Sequence, residues 1–235
     1  MQATDKLTAI GFDADDTLWQ NEQFFQLSKD SFTALLADHG DTHHVASRLL
    51  DAERRNLKLY GFGAKGFTLS MIETALEVTD GTVPQAVIGK ILALGRAMLD
   101  YPIETLPHVH ETLEALAGKY RIILITKGDL FDQERKLAQS GLGDYFNAVE
   151  IVSDKKPSVY DRIFTRHADG AASAMMIGNS LKSDVIPALE AGSWGVHVPH
   201  ELVWELDHAD APEGHPRFRT VQTLGDIPNL IDTLS

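Results

Sequence analysis

The stretch Ile10-Gly11-Phe12-Asp13-Ala14-Asp15-Asp16-Thr17-Leu18-Trp19 decides how the chain is read. Leu7 to Phe12 is a short, mostly apolar run, long enough for one buried strand. It ends in three carboxylates within four residues, Asp13, Asp15 and Asp16. Like charges repel and want water, so a core strand has little structural use for them at its end. Phosphoryl transfer does have a use for them. One carboxylate can attack phosphorus, a second can carry a proton, and a bound Mg²⁺ cancels the accumulated charge. Asp13 and Asp15 stand two apart, the spacing that puts side chains on one side of an extended chain. The competing explanation is a strand running into an Asp-rich turn.

The chain has 235 residues, of which 43% are hydrophobic, enough for one large domain or for a core with a smaller insert. Its formal net charge of −13 repels polyanions on average. Nucleic acid and acidic membrane surfaces are therefore not expected partners. A phosphate ligand would need a local cluster of cations, amides or metal. Without Cys, disulfide and thiol chemistry are excluded. No apolar run approaches the ~20 residues of a membrane span. The polar Met1–Lys6 followed by a strand-length run does not fit a signal peptide, and the cytoplasm is the expected location.

After Trp19 the pattern turns helical. Phe24, Leu27, Phe32, Leu35 and Leu36 form one stripe before Gly40, and Asp41 or Thr42 can cap a second helix carrying Val45, Leu49 and Leu50. Gly61, Gly63 and Gly66 interrupt the pattern. A third helix then carries Leu69, Ile72, Ala75 and Leu76, and a fourth opens with Pro84. Residues 20–103 thus read as an all-helical insert. From Pro107 apolar strands alternate with helices: Arg121–Ile125 ending at Thr126, Ala148–Val152, Ala174–Ile177 and Gly195–Val198, with a helix through Phe131, Leu137 and Ala138 among them. Wholly apolar strands separated by helices predict an α/β fold, a parallel sheet covered on both faces. Residues 1–19 and 104–235 form this core.

Ligands of open α/β sheets bind beyond the carboxyl ends of the strands. The first four strands end in groups suited to phosphate: Asp13 and Asp15; Thr126, Lys127 and Gly128; Lys155 and Lys156; and Gly178-Asn179-Ser180-Leu181-Lys182-Ser183-Asp184. With DADDT at 13–17, ILIT at 123–126, KKP at 155–157 and GNSLKSD at 178–184, the whole chain resembles the haloacid dehalogenase (HAD) superfamily. The resemblance implies a Rossmann-like, doubly wound core and a helical cap of the C1 type inserted after the first strand. It further implies a phosphatase acting on a small phosphorylated metabolite through an aspartyl-phosphate. Asp13 would be the nucleophile and Asp15 the acid and base, with Asp15 kept protonated by neighbouring carboxylates. Thr126 and the amides near Lys127 and Gly128 would hold the phosphoryl group. Lys156, chosen over Lys155 because it adjoins Pro157, would neutralise charge. Mg²⁺ would lie on the Asp13 carboxylate, the Asp15 carbonyl, and one or both of Asn179 and Asp184.

Three residues depart from the family pattern. Asp16 stands where Gly is common and is expected to face solvent. Asn179 stands where an Asp often holds metal, and Lys127 where Asn is frequent. A dehalogenase of this superfamily lacks the second Asp, so Asp15 favours phosphate. A phosphomutase, or a regulatory protein that has kept the fold, are the alternatives. Lys65, in the Gly61–Gly66 stretch, is either a residue that reads the far end of a substrate or part of a plain helix connection. The histidines at 43, 44, 108, 110, 208 and 215 are expected to be exposed or capping, and Glu205–Pro216 to be a surface loop.

Overall fold

The computed structural model describes residues 6–234; Met1–Asp5 and Ser235, assigned above to the ends of the core, lie outside the described residues. Six parallel strands form one sheet: β1 (Ala9–Phe12), β2 (Arg121–Lys127), β3 (Ala148–Val152), β4 (Ala174–Gly178), β5 (Trp194–His197) and β6 (Phe218–Thr220). Their order is β3-β2-β1-β4-β5-β6. This is the doubly wound, Rossmann-like order. β1 is central, with Ile10 in register with Ile122 on one side and Met175 on the other. Every residue of β1 is buried. The first strand is shorter than Leu7–Phe12, and β6, which carries Arg219 and Thr220, has no apolar run to announce it.

The chain divides into two compact units. Among the described residues, the first comprises those up to Gln20, Ile103–Lys127, and those from Gln133 onward. The second comprises Asn21–Pro102 and Gly128–Asp132. In the first unit, helices α5 (Val109–Leu116), α6 (Leu130–Ser140, from Gln133), α7 (Pro157–His167), α8 (Ile186–Glu190) and α9 (Ile227–Leu234) flank the sheet. One face of the sheet packs Ile10, Phe12, Leu124 and Met175 against Leu113, Leu116, Ile227 and Ile231. The other packs Ile123, Ile125 and Met176 against Tyr160, Ile163 and Phe164. Alternate residues of the same strands serve opposite faces, which is why these strands are apolar throughout. The two chain segments that leave this unit start side by side, where the Gln20 N–H donates to the Glu104 carbonyl at 3.0 Å.

The second unit holds α1 (Glu22–Leu35), α2 (Thr42–Tyr60), α3 (Ala64–Val78) and α4 (Gln85–Asp100), with no strand among its described residues. Phe32, Leu49, Met71 and Ile91 are at its centre. Phe24 stacks on Tyr101 and Phe25 meets Phe67 edge-on, so these aromatics are packing residues. Asp41 caps α2 by accepting from the His43 N–H at 3.0 Å. The glycine-rich interruption shrinks to Gly61–Gly63, both ends at positive φ, because Gly66 is already helical. Lys65 does not project freely from it. Its Nζ donates to Asp129 Oδ1 at 2.9 Å, and Asp129 also accepts from the Asp132 N–H at 3.1 Å.

Candidate active site

β1 delivers Asp13 at its carboxyl end, where the Asp13 N–H still bonds the Ile177 carbonyl of β4 at 2.9 Å. The chain then folds back on itself, with Leu18 N–H on the Ala14 carbonyl and Asp16 N–H on the Trp19 carbonyl, both at 2.7–2.8 Å. This tight turn puts Asp16 at φ 60°. A left-handed backbone there explains why Gly is common at the position, and Asp tolerates it better than most residues. Asp16 does not face solvent as expected. It is buried, with His200 Nε2 3.9 Å from its carboxylate.

Asp13 is 6% exposed. Burial and the nearby Asp184 carboxylate push it up to about 7, although Lys155 pulls in the opposite direction. Lys155 is the lysine of this site. Its ammonium donates to Asp13 Oδ1 and, at 2.6 Å, to Asp184 Oδ1. Burial disfavours its charge, but Asp13 and Asp184 outweigh burial and keep it protonated well above the usual lysine range. Lys156, expected in this role, is turned away: its side chain is 64% exposed and pairs with Asp154 at 3.0 Å. The reason lies in Pro157, which starts α7 and forces the residue before it to be extended, here φ −127° and ψ 159°. Neighbouring side chains on extended backbone point to opposite sides, so only one lysine of the pair can turn inward.

Asp184 is fully buried. Its Oδ2 accepts from the Ser180 N–H at 3.0 Å, within a π-helical turn at Leu181–Val185 that precedes α8. Tyr160 Oη donates to the Ser183 carbonyl at 3.0 Å and lies 3.5 Å from Asp184 Oδ1. With both oxygens engaged, Asp184 anchors Lys155 and the loop. Gly178 leaves room for this: a Cβ there would stand 2.3 Å from Asp184 Oδ2. Gly178→Ala is therefore expected to lower stability by about 1–3 kcal/mol, read as a fall in the thermal midpoint. An unchanged midpoint would show that Asp184 moves aside without cost.

The Asn179 amide lies 3.2 Å from Thr17 Oγ1 and 3.3 Å from both the Asp15 carbonyl and Asp13 Oδ2. Three oxygens around one amide suit an NH₂ group, and equally a cation that the amide oxygen joins. A small hard cation takes such an all-oxygen set. Among the described residues no three His, Asp or Glu side chains form a metal cluster, so a cation here would rest on one carboxylate, one carbonyl and one amide.

Asp15 is held by three donors. Trp19 Nε1 and Lys136 Nζ reach Oδ1 at 2.7 and 3.0 Å, and Gln133 Nε2 reaches Oδ2 at 2.7 Å. Burial pushes Asp15 up, but the Lys136 charge and the bonds from Gln133, Lys136 and Trp19 hold it below the usual carboxylate range. The expectation that neighbouring carboxylates keep it protonated is thus reversed. Gln133 and Lys136 were not singled out in the sequence, where α6 reads as a helix through Phe131, Leu137 and Ala138; of these, Phe131 is 80% exposed. Thr126 is buried near the end of β2. Lys127 donates to Ser183 Oγ at 2.6 Å and to Asp207 Oδ1 at 3.0 Å, with Trp204 6.0 Å away. Asp207 also accepts from Ser183 Oγ at 2.8 Å. Burial raises Asp207, but Lys127, Ser180 and Ser183 together lower it below the usual range. The expected surface loop thus supplies a largely buried carboxylate to this end of the sheet, while Gly128 and Lys65 group with the helical unit.

A family model for haloacid dehalogenase-like hydrolases matches residues 7–192. Among curated relatives, Pyrimidine 5'-nucleotidase YjjG of Escherichia coli is 24% identical over 232 residues, covering 94% of this chain and 96% of its own. Glyceraldehyde 3-phosphate phosphatase of Methanothermobacter thermautotrophicus is 27% identical, covering 87% and 91%. The crystal structure of a haloacid dehalogenase-like family hydrolase from Xanthomonas campestris superposes with a TM-score of 0.86 at 41% identity, covering 100% of this chain and 94% of that one. The match spans all four strand-end motifs and the helical segment between the first two; the chain belongs to the haloacid dehalogenase-like hydrolase family.

Proposed function

We propose that the protein is a Mg²⁺-dependent phosphatase of small phosphorylated metabolites, with the helical unit as its C1-type cap. The observation that carries this is the division of labour between two carboxylates: Asp13, buried and paired with Lys155, and Asp15, held by Trp19, Gln133 and Lys136. The names of two relatives, a pyrimidine 5'-nucleotidase and a glyceraldehyde 3-phosphate phosphatase, agree with it.

Asp13 attacks phosphorus as the bond to the leaving oxygen breaks, giving an aspartyl-phosphate. Asp15 gives that oxygen a proton. It then takes one from the water that attacks the intermediate and frees phosphate. Asp15 is ionised before substrate arrives, and an anionic phosphoryl group beside it raises its affinity for the proton it needs. Lys155 offsets charge on the phosphoryl oxygens, and Thr126 donates to one of them. Asp13, the Asp15 carbonyl and Asn179 would hold Mg²⁺, which when bound supplies further neutralisation of that charge.

The test is phosphate release from sugar phosphates, triose phosphates and nucleoside monophosphates, with Mg²⁺ and with chelator. Turnover of at least one monoester, lost on chelation, is expected. No release from any ester with Mg²⁺ present would overturn the reading.

A further inference from the structure

Asp15 is gripped largely from one helix. Gln133 and Lys136 stand three apart on α6, so both project from the same helical face. They are 3% and 7% exposed. Burying an ammonium costs several kcal/mol, and an apolar residue of similar volume at such a place is often as stabilising or more so. Fold stability alone therefore gives no reason for Lys136 to point inward.

The distribution of the three bonds is uneven. Each carboxylate oxygen offers about two lone-pair directions. Oδ1 accepts from Trp19 and Lys136, which fills both of its directions, whereas among the described residues Oδ2 accepts only from Gln133. One direction is left, on Oδ2. Rotation of the carboxyl group would break all three bonds together, so the open direction is fixed in space.

We propose that Gln133 and Lys136 are positioning residues for Asp15, which aim Oδ2 at the leaving oxygen and make it the atom that hands over the proton. This rests on the acid–base role given to Asp15 above. Both act through the Asp15 carboxylate, so their loss changes how well the leaving group is protonated and not how substrate is bound.

The experiment is the dependence of kcat/KM on leaving-group basicity, measured on a series of aryl and alkyl phosphates for the wild type, Lys136→Met, Lys136→Arg and Gln133→Leu. For an enzyme with a covalent intermediate this ratio reports only steps up to phosphorylation of Asp13, where the acid acts. General acid catalysis contributes ~10²–10⁴-fold, and misplacement forfeits part of it. Lys136→Met and Gln133→Leu are expected to lose roughly tenfold or more on alkyl esters but under about threefold on nitrophenyl phosphate. The slope steepens, KM changes little, and Lys136→Arg recovers most of the loss. Equal losses across the series, a rise in KM as the main effect, or no loss in either variant would overturn the inference. If Lys136→Met does not fold, Gln133→Leu alone decides, since it removes an uncharged side chain, with its bonds to Asp15 Oδ2 and, at 3.3 Å, to the Lys127 carbonyl. A wild type inactive on every ester would overturn the proposed function instead, and this inference with it.

Discussion

Asp13→Asn is expected to abolish phosphate release, by more than about 10³-fold, while the protein stays folded. The amide keeps the size and place of the carboxylate but is a poor nucleophile, so no aspartyl-phosphate forms. The fold should tolerate the change because Asp13 is already poorly disposed to carry charge. Burial and Asp184 raise it to about 7. Lys155 keeps Asp184 as its counter-ion at 2.6 Å. Phosphate release and thermal denaturation of the purified variant check both halves. Substantial turnover would remove Asp13 from the nucleophile role, and a collapse of stability would show that its charge holds the loop together.

The second large effect separates two adjacent lysines. Lys155→Met should reduce kcat/KM by about 10²–10³, the usual cost of losing one preorganised charge-stabilising donor. It should also cost about 3–5 kcal/mol of stability, because Asp13 and Asp184 are left buried beside each other without a cation. Lys156→Met should change activity less than about twofold and stability by under ~0.5 kcal/mol, since its ion pair with Asp154 is exposed. Measuring both variants at the same pH decides between them. Similar losses from the two, or a larger one from Lys156→Met, would restore Lys156 to the site.

That pair shows where sequence reasoning stopped. The sheet, the strand ends and the Asp13–Asp15 pair were legible because each rests on local pattern: apolar runs of strand length, then carboxylates at a spacing of two. The choice between Lys155 and Lys156 depends on which way an extended backbone faces after the Ser153-Asp154 turn, and no periodicity crosses a turn. Gln133 and Lys136 were hidden for a different reason. Polar residues on a helix normally mark the solvent face, and here the partner that lets them be buried lies about 120 residues earlier. Asp207 stayed hidden inside a polar, proline-containing stretch for the same reason: its burial is licensed by Lys127 and Ser183. Asp16 was misplaced because a turn residue was equated with an exposed one.

The central position of β1 bears on biogenesis. A strand flanked by β2 and β4 has no neighbour until residues about 110 and about 165 further along have been made. The helical segment Asn21–Pro102 is almost wholly local in sequence and can pack while the ribosome is still working. The Asp-rich turn cannot. It stays an anionic loop on an apolar strand paired on one side at most until β4 and the segment ending near Asp184 emerge, so this end of the sheet is completed late. During that interval β1 is the stretch most exposed to wrong pairing and to chaperone capture. A nascent chain stalled before β4 would carry Asp13 without the Asp184 that holds Lys155 against it.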